Sequence, residues 1–213
     1  MSEQRDKILG CACDLYLADG LDGFSMRKLA KQVGVTAPAL YRHFENREHV
    51  LTEMVREAYR EFTGALYRAL EGRTPLERFF RAGEAYREFA LRNARWYQLL
   101  FIAPEQLGIA ELPEEIEAMG CGIHQFWVDR VRECQDAGIL REGDPVQMSL
   151  TMWAHAHGMI TLYHHGHFRM DEATFMEHFK RSGATMMVGV ATEEFATELT
   201  EHFGAGQSVG TTA

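Results

Sequence analysis

ILGCACDLYLADGLDGFSMRKLAKQVGVTAPALYRHFENREHVL, residues 8–51, is the stretch that decides how this chain folds. Ile8, Ala12, Leu15 and Tyr16 recur at helical spacing and form the apolar face of a first helix, which Asp19-Gly20 is expected to end. Ser25 offers a side-chain oxygen to the open N-terminus of a second helix, MRKLAKQV, whose Met26, Leu29, Ala30 and Val33 turn inward. Gly34 stops that helix, because glycine enters the left-handed conformation of a tight turn without steric cost. Thr36 caps a third, short helix, APALYRHF, and Pro38 fits its first turn, where no backbone donor is needed. A fourth helix starts near Asn46 and runs through LTEMVREAYREFTGALYRAL until Gly72 and Pro75 end it.

The remainder is helical as well. The chain has five prolines in 213 residues and no alternating β-branched stretch, so the expected class is all-α, with about nine helices. Further helices are expected over about Leu76–Asn93, over WYQLLF, and over about Glu114–Ala137, Pro145–His165 and Asp171–Ala191, with a loop at 104–113. The tail, residues 203–213, is small and polar and is expected to fray. Two domains follow from this reading: a three-helix unit over 1–48 and a larger helical domain over 49–213.

Charge is unevenly placed. The formal net charge is -9, which taken alone argues against a nucleic-acid partner. Between Phe24 and Arg47, however, Arg27, Lys28, Lys31, Arg42 and Arg47 face only Glu45. From Leu51 onward 15 Lys/Arg stand against 24 Asp/Glu. A short basic segment inside an acidic chain suits local contact with phosphate, with little non-specific adhesion elsewhere.

Helix, glycine-centred turn and short helix over 25–44 make a helix-turn-helix, whose second helix enters the major groove of DNA. Ala37 and Pro38 are small enough for the backbone to approach base edges, and Tyr41, Arg42 and His43 can hydrogen-bond phosphates or bases. The link Gly20-x-x-Gly23-Phe24-Ser25, then Leu29-Ala30, Gly34-Val35 and Leu40-Tyr41-x-His43-Phe44 followed by Arg47, closely resemble the N-terminal domain of TetR-type transcriptional regulators. That resemblance implies phosphate contacts at Ser25, Arg27, Tyr41 and His43, and groove contacts at Thr36, Ala37 and Pro38. Arg47 departs from the lysine common in the family, and a guanidinium meets phosphate with different geometry. Leu40 and Phe44 are read as core.

The resemblance further implies that the C-terminal helices dimerise and bind a small-molecule effector. VQMSLTMWAHAHGMITLYHHGHF is apolar on most sides, as a helix is when its own domain and a partner subunit both cover it. Trp153-Ala-His-Ala-His157-Gly158 resembles the Trp…His-Gly motif of one subgroup of the family. Candidate pocket residues are Tyr86, Phe89, Trp96 and Phe101, with His124, Trp127, Trp153, His157 and Tyr163 from later helices. Such walls suit a hydrophobic or aromatic effector. Arg87, Arg92, Arg95 or His124 can pair an acidic group if they point inward.

The function expected is therefore a dimeric repressor, released from double-stranded operator DNA by its effector. No cofactor and no metal are expected. Of the five histidines between His155 and His167, only His164 and His167 have the i,i+3 spacing of a helical metal pair, and they fall at a helix end. The alternatives weighed are response to metal or redox through His and Cys residues, and a helical enzyme. Cys11, Cys13, Cys121 and Cys134 show no CxxC and read as buried thiols of a reducing compartment. No P-loop, GxGxxG or HExxH is present. The N-terminus lacks a signal-peptide apolar core and no run is long enough to span a membrane, so a cytoplasmic protein is expected.

Overall fold

The computed structural model describes residues 3–204, with side chains through residue 201. Ten α-helices follow in order: α1 (Glu3–Gly23), α2 (Met26–Val33), α3 (Ala37–Tyr41), α4 (Arg47–Tyr67), α5 (Pro75–Arg92), α6 (Ala94–Leu99), α7 (Glu114–Asp136), α8 (Pro145–His164), α9 (Glu172–Val188) and α10 (Glu193–Gly204). Among the described residues, β pairing is confined to one isolated bridge, Leu140 with Ala191.

Several limits differ from the sequence reading. The first helix is broken at Gly20, where the Asp19-Gly20 reading ends it, but the chain resumes a helical turn beyond the kink. Gly20 takes φ 66° and ψ -173°, and the further turn reaches Gly23. The third helix closes at Tyr41 rather than Phe44, because the His43 amide donates to the Leu40 carbonyl in a tighter turn. The expected loop after α6 contains a 3-10 turn, Pro104–Leu107. Beyond the ninth helix stands α10, which the sequence reading missed. Of the expected tail, residues 205–213 lie outside the described residues.

The chain packs as two compact units. One contains the chain up to Tyr67 together with Glu88–Ile123. The other contains Arg68–Arg87 and the chain from His124 onward. In the first unit α1 packs on α2 and α4, and α6 packs on α1 and α4. Its centre is Ile8, Leu29, Leu40, Val50, Leu51 and Met54, all fully buried. Phe62 and Phe89 meet at 5.1 Å, and the Tyr16 hydroxyl donates to the Gln106 carbonyl at 3.0 Å. In the second unit Phe79, Val131, Cys134, Leu140, Met152 and Met187 form the core. The Thr192 hydroxyl donates to the Gly138 carbonyl at 2.9 Å and the Arg141 amide to the Val190 carbonyl at 3.0 Å, which ties the turn after α7 to the link between α9 and α10.

Two substitutions separate packing from backbone strain. Leu51→Ala empties a site that is 0% exposed, and the expected loss is about 2–5 kcal/mol. Gly34→Ala meets no atom within 4 Å but must hold φ 82°, an expected loss of roughly 1–2 kcal/mol. Urea unfolding of both variants checks the order.

Candidate nucleic-acid interface and cavity

The helix-turn-helix is set by three local devices. Ser25 lies in extended backbone, and its Oγ accepts the Lys28 amide at 3.2 Å. Gly34 adopts the left-handed conformation, which lets its amide donate back to the Ala30 and Lys31 carbonyls. Thr36 Oγ1 accepts the Ala39 amide at 3.3 Å and starts α3. These caps leave both hydroxyl protons available for other acceptors.

Alpha-3 has only five residues, so its position comes from beneath. Leu40 and Phe44 are 0% and 1% exposed. The Arg5 guanidinium lies 4.7 Å from the Phe44 ring centre, and the His49 ring meets the same ring edge-on at 5.6 Å. Arg5 also donates to the His43 carbonyl at 3.4 Å and is paired with Glu53. Asn46 Oδ1 accepts the His49 amide at 2.8 Å and opens α4.

Above this support the nine expected DNA-facing residues all stay out of the core. Arg27, Thr36, Pro38, Tyr41, Arg42 and Arg47 are exposed, while Ser25, Ala37 and His43 are half-buried. Tyr41 is 51% exposed, a large aromatic group half open to solvent. Among the described residues Arg27, Arg42 and Arg47 form no ion pair, and neither does Lys31, a cation the site reading left out. Elsewhere Arg56, Arg60, Arg78, Arg95 and Arg130 are each held by a carboxylate. Lys28 is occupied too, 3.0 Å from Asp19.

The second unit carries a half-open cavity of about 440 Å³, built from α5, α7, α8, α9 and Leu199 of α10. Its walls are apolar: Phe79, Phe80, Trp127, Met152, Phe179 and Met187. Of the candidate pocket residues, Tyr86, Trp127 and Trp153 line it. His157 sits behind them, stacked on Trp153 at 5.3 Å and with Nδ1 3.5 Å from the Tyr86 hydroxyl. The others lie apart. Phe89 packs on Phe62, Trp96 is buried beside the Arg95 guanidinium, and Phe101 meets Tyr97 at 5.0 Å, all in the first unit. Tyr163 stacks on Phe175 at 4.1 Å, and His124 is exposed. Phe79, Phe179, Met187, His155 and Lys180, absent from the candidate pocket residues, also line it, and so does Arg87, one of the four residues expected to pair an acidic group if they point inward. Arg92 and Arg95 do not line it, and Arg95 instead pairs with Asp14.

Trp127 Nε1 and His155 Nε2 are buried with no hydrogen-bond partner. Burial pushes the imidazoles of His155 and His157 below the ordinary histidine value, so both are held neutral. Of the four cysteines read as buried, Cys13 and Cys134 are so, whereas Cys11 is half-buried and Cys121 exposed, and the two buried thiols do not suit redox sensing. Burial raises Cys13 to about 12 and Cys134 to about 11, far from the thiolate range. Among the described residues no group of three or more His, Cys, Asp and Glu side chains converges as a metal set. No described helix is long and apolar enough to cross a membrane. Gly206-Gln207-Ser208-Val209-Gly210 has the spacing of a serine-hydrolase elbow, but that motif requires a strand before it and a helix after it. Those residues lie outside the described ones.

Residues 8–54 match the family model of bacterial regulatory proteins of the tetR family. Residues 79–187 match the model described as Tetracyclin repressor-like, C-terminal domain. The chain belongs to the TetR family. This TetR-family protein is 25% identical over 135 residues to the HTH-type transcriptional repressor KstR2 of Mycolicibacterium smegmatis, covering 62% of this chain and 65% of that one. It is 32% identical over 100 residues to the tetracycline repressor protein class A from transposon 1721 of Escherichia coli, covering 47% of this chain and 41% of that one. The aligned region is thus under two thirds of either relative's length. Among solved structures, the ketosteroid transcriptional regulator KstR2 of Mycobacterium tuberculosis superposes with a TM-score of 0.73 at 18% identity, over 91% of this chain and 97% of that chain. At that identity the likeness concerns the fold. A protein with unknown function from Rhodococcus sp. RHA1 superposes at 0.72 with 27% identity, over 90% and 97% of the two chains.

The desolvated histidines give the second unit a pH signature. Their folded pKa lies below the unfolded value of about 6.5, so the unfolded chain takes up protons first. Their contribution is complete above pH 6.5 and is lost as pH falls from there towards the folded value. His155→Leu removes one of these groups and its unpartnered nitrogen. The expected result is a smaller loss of thermal stability between pH 7.5 and 5.5 than in the parent, measured by calorimetry on both proteins.

Proposed function

We propose that this protein is a dimeric repressor that holds double-stranded operator DNA through α2 and α3 and releases it when a small hydrophobic or aromatic effector fills the cavity of the second unit. The observation that carries the DNA reading is the contrast within residues 25–47: a core sealed by Leu40 and Phe44, and above it Tyr41 and three unpaired arginines open to solvent. Such a surface makes phosphate contacts that position the protein and polar contacts that read bases. Ser25, Arg27, Tyr41, His43 and Arg47 are assigned to phosphates. Thr36, Ala37, Pro38 and Arg42 are assigned to the groove. In functional terms residues 1–48 read DNA, and residues 49–213 bind effector and dimerise.

Support for the dimer comes from α8. Val146, Leu150 and Trp153 fall at i, i+4 and i+7, share one face of α8 and are 36–42% exposed. A stripe of that size on one helix is costly in water unless another surface covers it. A two-fold dimer through α8 and α9 covers it with the same stripe of a second copy, which also fixes the spacing of two recognition helices for a palindromic site. Effector binding acts by favouring a state with the wrong spacing. Helices α5 and α7 each contribute residues to both units, and so connect the cavity covalently to the unit that contains α3. The place of work is the cytoplasm, where operator DNA is found, and no catalytic role is assigned.

The test uses duplexes selected by the protein from a random pool. Tyr41→Ala is expected to weaken binding to the selected site about tenfold or more. Arg47→Ala is expected to reduce the slope of log affinity against log salt by about 1, as loss of a phosphate contact does. Unchanged binding in Tyr41→Ala sinks the site assignment. Val146→Glu with Leu150→Glu is expected to convert a dimer to a monomer in sedimentation, with the helical content retained.

A further inference from the structure

The cavity is not uniformly apolar. Three charged side chains reach its lining: Glu84 and Arg87 from α5, and Lys180 from α9. Among the described residues Arg87 and Lys180 make no hydrogen bond and no ion pair, and Glu84 makes none with either of them. Arg78 and Arg130, in the same unit, are by contrast both held by Glu133. Two cations and one carboxylate leave one positive charge at an apolar cavity. Arg87 is half-buried and Lys180 and Glu84 are exposed, so the charges stand at the solvent side of the apolar walls, where the anionic head of a molecule whose body lies against those walls can meet the cations.

We propose, resting on the reading of this cavity as the effector site, that the effector is an amphipathic monocarboxylic acid. Its apolar body occupies the space among Phe79, Trp127, Met152, Phe179 and Met187. Its carboxylate pairs with Arg87 and Lys180. A single negative charge neutralises the excess left by Glu84, whereas a cationic amphipath faces two like charges and only one counter-charge. The cavity volume of about 440 Å³ lies within the range of pockets for small organic ligands.

The experiment compares one skeleton with three head groups: decanoate, decanol and decylamine, each titrated into the full-length protein by calorimetry below its micellar concentration. Decanoate is expected to bind about three- to tenfold more tightly than decanol, and decylamine more weakly than either. Arg87→Gln with Lys180→Gln is expected to abolish the preference for the acid while decanol binding and the melting temperature stay as in the parent. Gly183→Trp, which fills the cavity from α9, is expected to remove all three. Equal binding of decanoate and decanol, or a preference for decylamine, overturns the acid proposal and leaves the effector cavity standing. Failure of all three to bind, or binding that Gly183→Trp does not affect, overturns the cavity reading and this proposal with it.

Discussion

Everything that faces DNA here depends on two side chains that do not. A five-residue helix has too few internal hydrogen bonds to persist in water, so α3 exists because Leu40 and Phe44 anchor it to the layer below. Burying two such side chains yields on the order of 3–6 kcal/mol. Arg5 then covers Phe44 from α1 and holds the His43 carbonyl, so the start of the first helix and the end of the third are fixed by one side chain. The exposed face above can be rich in charge because none of it is needed for folding.

The DNA-binding half was legible because its signals are local. Ser25, Gly34 and Thr36 each act within three or four residues, and each performs the role its chemistry dictates. The closing of α3 at Tyr41 was not visible, since it reflects the docking of Phe44 rather than a breaker in the sequence. Alpha-10 shows the opposite limit. Its apolar signal is thin, Phe195 and Leu199 amid acidic residues, and its place is justified by Leu199 reaching the core of the second unit. The cavity was hardest to read. Tyr86 and Phe89 are three residues apart on one helical stripe, yet Tyr86 lines the void and Phe89 fills the core of the other unit. Periodicity identifies a buried stripe but cannot say whether the space opposite is filled.

Charge pairing separates structural from functional cations more sharply than composition does. The arginines of α4 and α7 are tied to carboxylates close by, as in Arg60 with Glu57 and Arg130 with Glu133. Arg27 of α2, Arg42 just after α3 and Arg47 at the start of α4 are not. A net charge of -9 therefore conceals a segment in which four of five cations, all but Lys28, are open to a partner. Screening by salt acts on such open charges and far less on the paired ones.

The brevity of α3 has a consequence for how such a protein changes over time. Its support comes from Leu40, Phe44 and Arg5, and its display from Thr36, Ala37, Pro38, Tyr41 and Arg42. Thr36, whose hydroxyl caps α3, belongs to both, and otherwise the two sets share no member. Substitutions elsewhere in the display alter what is recognised at almost no cost to the scaffold, so a duplicated copy can acquire a new DNA address in single steps. Its second unit can drift independently towards a different signal.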